Sequence, residues 1–263
     1  MAVPVFRFAP SPNGRLHLGH AYSALLNQRM VEQAGGRLLL RIEDTDQTRC
    51  RPEYVAAIFE DLRWLGLTWE TPVRIQSEHF ADYDANLKRL WDMDAIYPCF
   101  CSRKQAAAHA LSSSDPDGQP HYGRTCRNLP RDKAIRMIDA GTVHAWRLDM
   151  PGHGDVAASV WGDAVIAKRH VGSSYHIAVV TDDALQGVTD VVRGRDMEAA
   201  TSLHRLLQQL LGLPSPRYVH HGLIFDEDGR KLSKSLRSTA LAALRSDGVS
   251  ALDIRVRLGF GPG

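Results

Sequence analysis

Apolar residues in the first quarter of the chain fall into two kinds of run. Val3 to Phe8 and Leu38 to Ile42 are short and nearly continuous, the pattern of strands buried on both faces. Between and after them the spacing becomes helical. Leu18, Ala21, Tyr22 and Leu25 predict a helix over 18–34, ended by Gly35-Gly36, and Tyr54, Val55, Ile58, Phe59 and Leu62 predict a second over 52–65. Strand, helix, strand, helix implies parallel pairing, so the expected fold class is α/β with a doubly wound parallel sheet.

The later part of the chain repeats this reading after an interruption. Val143 to Leu148 and Ile177 to Val180 read as strands of a second parallel layer, and Met197 to Leu211 as an amphipathic helix burying Ala200, Leu203, Leu206, Leu207 and Leu210. Pro214 and Pro216 break the chain, Tyr218 to Phe225 is expected as a strand, and a helix is expected after Ser238. The interruption is rich in Ser, Asp, Gly and Pro. Four segments are therefore expected: a first catalytic half (1–95), an insertion (96–142), a second catalytic half (143–212) and a carboxyl-terminal loop with helices (213–263).

Composition narrows the class only a little. The chain has 263 residues and a formal net charge of +2, enough length for a substantial core but too little basic excess to announce a nucleic-acid partner. Basic residues do gather locally, at Arg124, Arg127, Arg131, Lys133 and Arg136 and again at Lys168, Arg169 and His170. No apolar run nears the roughly 20 residues that span a bilayer, and the start lacks a basic-then-apolar leader. A cytoplasmic protein with no membrane partner, acting as a monomer, is expected.

Two short motifs carry the candidate chemistry. His17-Leu18-Gly19-His20 opens the first predicted helix, where backbone N–H groups and a glycine let phosphates approach closely. Lys231-Leu232-Ser233-Lys234-Ser235 follows the turn Asp226-Glu227-Asp228-Gly229 and adds positive charge for the same phosphates. Together they point to attack of a carboxylate on the α-phosphate of ATP. The loop Ala9 to Gly14, stiffened by Pro10 and Pro12, leaves the first strand at its carboxyl end, where such sheets bind ligands, and Glu43 and Asp44 leave the second strand on the same side. Asp46 has the simpler reading of a cap for the next helix.

The insertion brings a different chemistry. Cys99-Phe100-Cys101 and Cys126 offer three thiolates suited to a tetrahedral zinc, with His121, His109 or Tyr122 open as the fourth ligand. Cys50 stands apart and reads as a free thiol.

These motifs, with Phe8 to Gly14 (F-A-P-S-P-N-G), Arg41 to Asp46 (R-I-E-D-T-D) and Val191 to Gly194 (V-V-R-G), resemble the class I aminoacyl-tRNA synthetases, and their glutamyl branch in particular, in that branch's order from about Arg7 to Ser235. The resemblance implies a Rossmann-like catalytic fold and ATP with Mg²⁺ as substrate. It implies catalytic roles for His17, His20, Lys231 and Lys234, with Gly19 also at the ATP. It assigns Arg7, Phe8, Ala9, Pro10, Ser11, Glu43, Tyr175 and Arg193 to the L-glutamate pocket, where an arginine fork fits a carboxylate in two-point fashion. It favours Tyr122 as fourth ligand of a structural Zn²⁺ beside Cys99, Cys101 and Cys126. Leu18 and Leu232 replace the isoleucine and methionine of the two signatures, swaps that keep bulk, and His176 follows Tyr175 where asparagine is common.

Only 28 residues follow Ser235. That resembles a shorter subgroup of the branch, which lacks an anticodon-binding domain and transfers glutamate to the queuosine of the tRNA(Asp) anticodon. Three alternatives stand beside it: a compact enzyme charging tRNA(Glu); a non-catalytic RNA-binding paralogue, against which the retained histidines and lysines speak; and adenylate formation on some other small carboxylate, against which Arg7, Glu43 and Arg193 together speak.

Overall fold

The computed structural model describes residues 2–168, 174–224 and 239–261. In chain order the elements begin with β1 (Val5–Phe8), α1 (Leu18–Ala34), β2 (Arg37–Ile42), α2 (Pro52–Trp64), β3 (Glu70–Ile75), α3 (Phe80–Asp92) and β4 (Ile96–Cys99). Next come α4 (Arg103–Ala108), β5 (Ala110–Ser114), β6 (Pro120–Tyr122), α5 (Arg131–Asp139), β7 (Ala145–Leu148), α6 (Met150–His153) and β8 (Val165–Lys168). The rest are α7 (Tyr175–Leu185), β9 (Asp190–Gly194), α8 (Ala200–Leu211), β10 (Arg217–His221), α9 (Leu241–Ser246) and α10 (Ala251–Arg257). They group into two compact units: Met1–Glu78 with Leu185–Glu198 and Pro216–Gly263, and His79–Ala184 with Ala199–Ser215.

The first unit holds a parallel sheet in the order β10-β9-β1-β2-β3. The chain runs outward from β1 through β2 to β3, then returns to the other side of β1 with β9 and β10, which makes the β1/β9 boundary the switch point of a doubly wound sheet. Register and pleat sort the side chains. Phe6, Phe8, Leu38, Leu40, Ile42 and Val192 join the core with Leu18, Ala21, Ala24 and Leu25 of α1, Ile58 and Leu62 of α2, and Leu241 and Ile254 of α9 and α10. Val5, Val191, Leu39 and Tyr218 pack together on the opposite face. Alternation carries that second face onward from Val5 to Arg7, from Leu39 to Arg41 and Glu43, and from Val191 to Arg193.

Local sequence explains the ends of α1. Gly35 takes a left-handed conformation (φ 58°) as its cap, as expected where a helix must stop sharply. A side chain at Gly36 would stand 2.7 Å from the Pro4 carbonyl oxygen, so the turn into β2 requires glycine.

In the second unit the expected second parallel layer is absent among the described residues. β7 does form near Val143 to Leu148, but it pairs antiparallel with both β4 and β8 in a separate three-stranded sheet. Ile177 to Val180 is not a strand: it lies inside helix α7. Every residue from Ile177 to Asp183 is buried, and a segment buried all round shows no period to separate strand from helix. Partners for its polar end decide the matter: Thr181 accepts from Asn86 Nδ2 at 2.9 Å, and Asp182 from the Tyr83 hydroxyl at 3.0 Å. The helix expected from Met197 starts at Ala200, after a short 3₁₀ turn over Arg195–Met197. The strand expected over Tyr218 to Phe225 covers Arg217–His221, with Phe225 outside the described residues.

Candidate active site and candidate metal centre

The loop leaving β1 is tied to the loop leaving β2. Pro10 O accepts the Glu43 N–H at 3.1 Å, and Pro12 O accepts the Arg51 N–H at 3.1 Å. Asp44 reaches β3's end, accepting from Ser77 N at 2.8 Å and Ser77 Oγ at 2.6 Å. Asp46 does not cap α2, whose N-cap is Arg51, but caps its own turn: its Oδ1 accepts Thr48 N at 3.2 Å and Thr48 Oγ1 at 2.6 Å, and the Thr48 contact holds its carboxyl below the ordinary range. The carboxyl edge is thus a bonded rim with few independent parts.

His17 and His20 are the cap of α1. His17 Nδ1 accepts the Gly19 N–H at 3.1 Å, His20 Nδ1 accepts the His17 N–H at 3.2 Å, and the ring centroids lie 3.9 Å apart. This is a reciprocal capping box built from imidazoles. Because both Nδ1 atoms accept, each neutral ring carries its proton on Nε2. Lys231 and Lys234 lie outside the described residues. The chain resumes at Thr239, and Ala240 bridges antiparallel to His17, with Leu241 N donating to Leu16 O at 2.9 Å.

The expected glutamate residues divide. Arg7, Glu43 and Arg193 are all buried, at 4%, 8% and 6% exposure, on the first unit's second sheet face. Phe8 points the other way, into the core, so only its backbone is available at the crevice. Ala9, Pro10 and Ser11 form the first residues of the tied loop. Tyr175 belongs to the other unit, as first residue of α7, with its ring centroid 5.5 Å from that of His204. His176 Nδ1 lies 3.2 Å from His204 Nε2.

Sequence reasoning missed two groups on this face. Arg41 is wholly buried; its Nη2 contacts Glu43 Oε1 at 3.1 Å and its Nη1 donates to Gln186 Oε1 at 3.1 Å. His220 accepts from Arg193 Nε at 3.5 Å and is held below its ordinary value by burial first and by Arg193 next. Period-two spacing would have found Arg41, two residues before Glu43. His220 is adjacent to Arg193 only through the β9–β10 register.

In the second unit Cys99, Cys101 and Cys126 bring their sulfurs within 4.8 Å of one another. Cys101 Sγ is 3.5 Å from Cys126 Sγ and 3.2 Å from the Tyr122 hydroxyl. A tetrahedral zinc with bonds near 2.3 Å would set sulfurs about 3.8 Å apart, so the donor set fits that ion with little rearrangement. His121 is turned elsewhere, with Ser113 Oγ at 2.9 Å and Val160 O at 3.0 Å. The Cys99 thiol is held well below its ordinary range, first by Cys126 and then by Tyr122 and Arg147, while Cys126 is raised as the proton-holding partner.

A doubly wound sheet whose switch point meets a histidine-capped helix and a buried Arg/Glu face defines a nucleotide-binding α/β catalytic domain of the synthetase type. The profile of tRNA synthetases class I (E and Q), catalytic domain, matches residues 4–255. The chain belongs to that family, and like its members it is a ligase. It is 43% identical to a glutamyl-Q tRNA(Asp) synthetase from Rhodobacter capsulatus, over 97% of this chain and 100% of that one. It is 35% identical to a glutamate–tRNA ligase from Prochlorococcus marinus, over 93% of this chain and 55% of that one. Among solved structures, a glutamate tRNA ligase from Elizabethkingia meningosepticum in complex with its amino acid superposes with a TM-score of 0.74 at 26% identity, covering 89% of this chain and 52% of that one. The chain therefore spans about half the length of these two glutamate–tRNA ligases.

Proposed function

We propose that the protein activates L-glutamate with ATP and transfers the glutamyl group to the queuosine of the tRNA(Asp) anticodon. The observation that carries this reading is similarity to a glutamyl-Q tRNA(Asp) synthetase at 43% identity over 97% of this chain and all of that one. The chemistry has two steps. The glutamate α-carboxylate attacks the α-phosphorus of ATP, and pyrophosphate leaves to give glutamyl-adenylate. A hydroxyl of the RNA then attacks the acyl carbon, and AMP leaves.

In the first step charge builds on the phosphates. The Nε2–H groups of His17 and His20, the N-terminus of α1 and the charges of Lys231 and Lys234 meet it, with Mg²⁺ accompanying the ATP. Gly19, second residue of α1, leaves its backbone open to close approach. Arg7 or Arg193 binds the substrate's side-chain carboxylate, Glu43 its ammonium, and Tyr175 adds a hydroxyl. Zinc on Cys99, Cys101, Cys126 and Tyr122 pins the β5–β6 hairpin and takes no part in bond making.

Transfer of labelled glutamate to bulk tRNA tests the reading, using RNA from cells that contain queuosine and from cells that cannot make it. Label confined to the queuosine-containing pool is the expected result. Equal labelling of both pools would replace the proposal by charging of tRNA(Glu), the reading that similarity to glutamate–tRNA ligases favours. Absence of label from both pools, with no glutamate-dependent pyrophosphate exchange, would favour a non-catalytic paralogue.

A further inference from the structure

Arg147 sits on β7 directly opposite Tyr97 of β4, and alternation along β4 puts Cys99 on the same face as that pair. Its guanidinium carbon lies 4.1 Å from the centre of the Tyr122 ring. Nη1 donates to Asp163 O at 2.9 Å, and Nε is buried with no hydrogen-bond partner among the described residues. Asp163 is itself fixed. Its carboxylate takes the Tyr97 hydroxyl at 2.5 Å, Arg124 Nη1 at 3.2 Å and Met150 N at 3.0 Å. Arg147 is thus anchored by a backbone carbonyl, while the Asp163 carboxylate spends its charge on Arg124. Among the described residues Arg147 forms no ion pair with a carboxylate.

A half-buried cation with no carboxylate partner among the described residues, set against a phenol and a thiol, calls for negative charge nearby. The metal centre supplies it. Three thiolates around a divalent ion leave a net charge of about −1, or about −2 if the phenol ligates as phenolate, and a fixed cation beside a site of that charge stabilises it. We infer that Arg147 is a positioning residue of the zinc centre: it balances the charge of the thiolate cluster and holds the Tyr122 ring against it. The inference rests on the zinc reading above.

The test measures zinc content and competition with a chromophoric chelator, on the full chain and on Arg147→Met and Arg147→Lys. The unaltered protein is expected to carry stoichiometric zinc. Arg147→Met is expected to bind it about 10–100-fold more weakly, the usual effect of losing an outer partner of a metal site, and Arg147→Lys to recover most of the loss. Both variants should melt like the parent at saturating zinc. A loaded parent with an equally tight Arg147→Met would overturn the inference and leave the zinc reading intact. So would an Arg147→Lys as weak as the Met variant, or an Arg147→Met that melts far below the parent even at saturating zinc. A parent that carries no zinc would sink both.

Discussion

Arg41 and Glu43 form an ion pair inside the first unit, Nη2 to Oε1 at 3.1 Å, with side chains 0% and 7% exposed. Glu43 is therefore held by a neighbour two residues back on the same face of the sheet. Truncating one member of a buried pair leaves the other charge uncompensated, at about 3–5 kcal/mol. Arg41→Met is expected to lower the free energy of unfolding in urea by that much. Arg41→Lys, which keeps charge but loses the Gln186 contact, should cost less and raise the KM for glutamate. An Arg41→Met variant as stable as the parent would show that the pair contributes nothing to the fold.

Substitution can separate the cap at His17 from its proposed part in catalysis. Asparagine is a good N-cap whose side-chain oxygen accepts the same backbone donor, whereas alanine forfeits about 1 kcal/mol. His17→Asn is expected to melt near the parent yet to lose glutamate-dependent pyrophosphate exchange. His17→Ala should lose both. Retention of exchange by His17→Asn would confine the residue to the cap.

Asp61 gives the first unit a pH dependence. Its carboxylate is wholly buried in α2, without a hydrogen bond among the described residues, and 3.4 Å from Arg245 of α9. Burial raises it from 3.8 to about 6 against the opposing pull of Arg245. A raised carboxyl favours the folded state while protonated, so this contribution is full below about pH 4 and disappears as pH rises through about 6. Asp61→Asn should remove that slope and stabilise the protein at pH 7 by about 1–3 kcal/mol. Denaturation curves from pH 4 to pH 8 measure it. A slope unchanged in the variant would assign the dependence to other groups.

The hairpin around the sulfur cluster depends on one glycine. A side chain at Gly123 would collide with the His109 carbonyl oxygen, and the residue sits between Tyr122 and Arg124. Gly123→Ala is expected to displace Tyr122 and weaken zinc retention. Pyrophosphate exchange should fall less than transfer to RNA, because the residues proposed for activation, His17, Arg7, Glu43 and Arg193, lie in the other unit. Loss of exchange and transfer in equal measure would contradict that division.

Sequence by itself determined the alternation of β1, α1, β2 and α2 and the residues that close α1. It also singled out the candidate residues for chemistry: His17 and His20 at a helix start, three cysteines in one insertion, and arginines within apolar strands. These are local properties, fixed by side-chain period, capping and spacing. Tertiary structure decided what no local pattern encodes. It turned the buried run Ile177 to Val180 into a helix, because Tyr83 and Asn86 supplied partners for its polar end. It set β7 antiparallel in a second sheet, since strand direction follows from pairing across long separations. It also brought His220 to Arg193 and Arg147 to Tyr122, contacts made only when register lays one strand beside another or a loop across it.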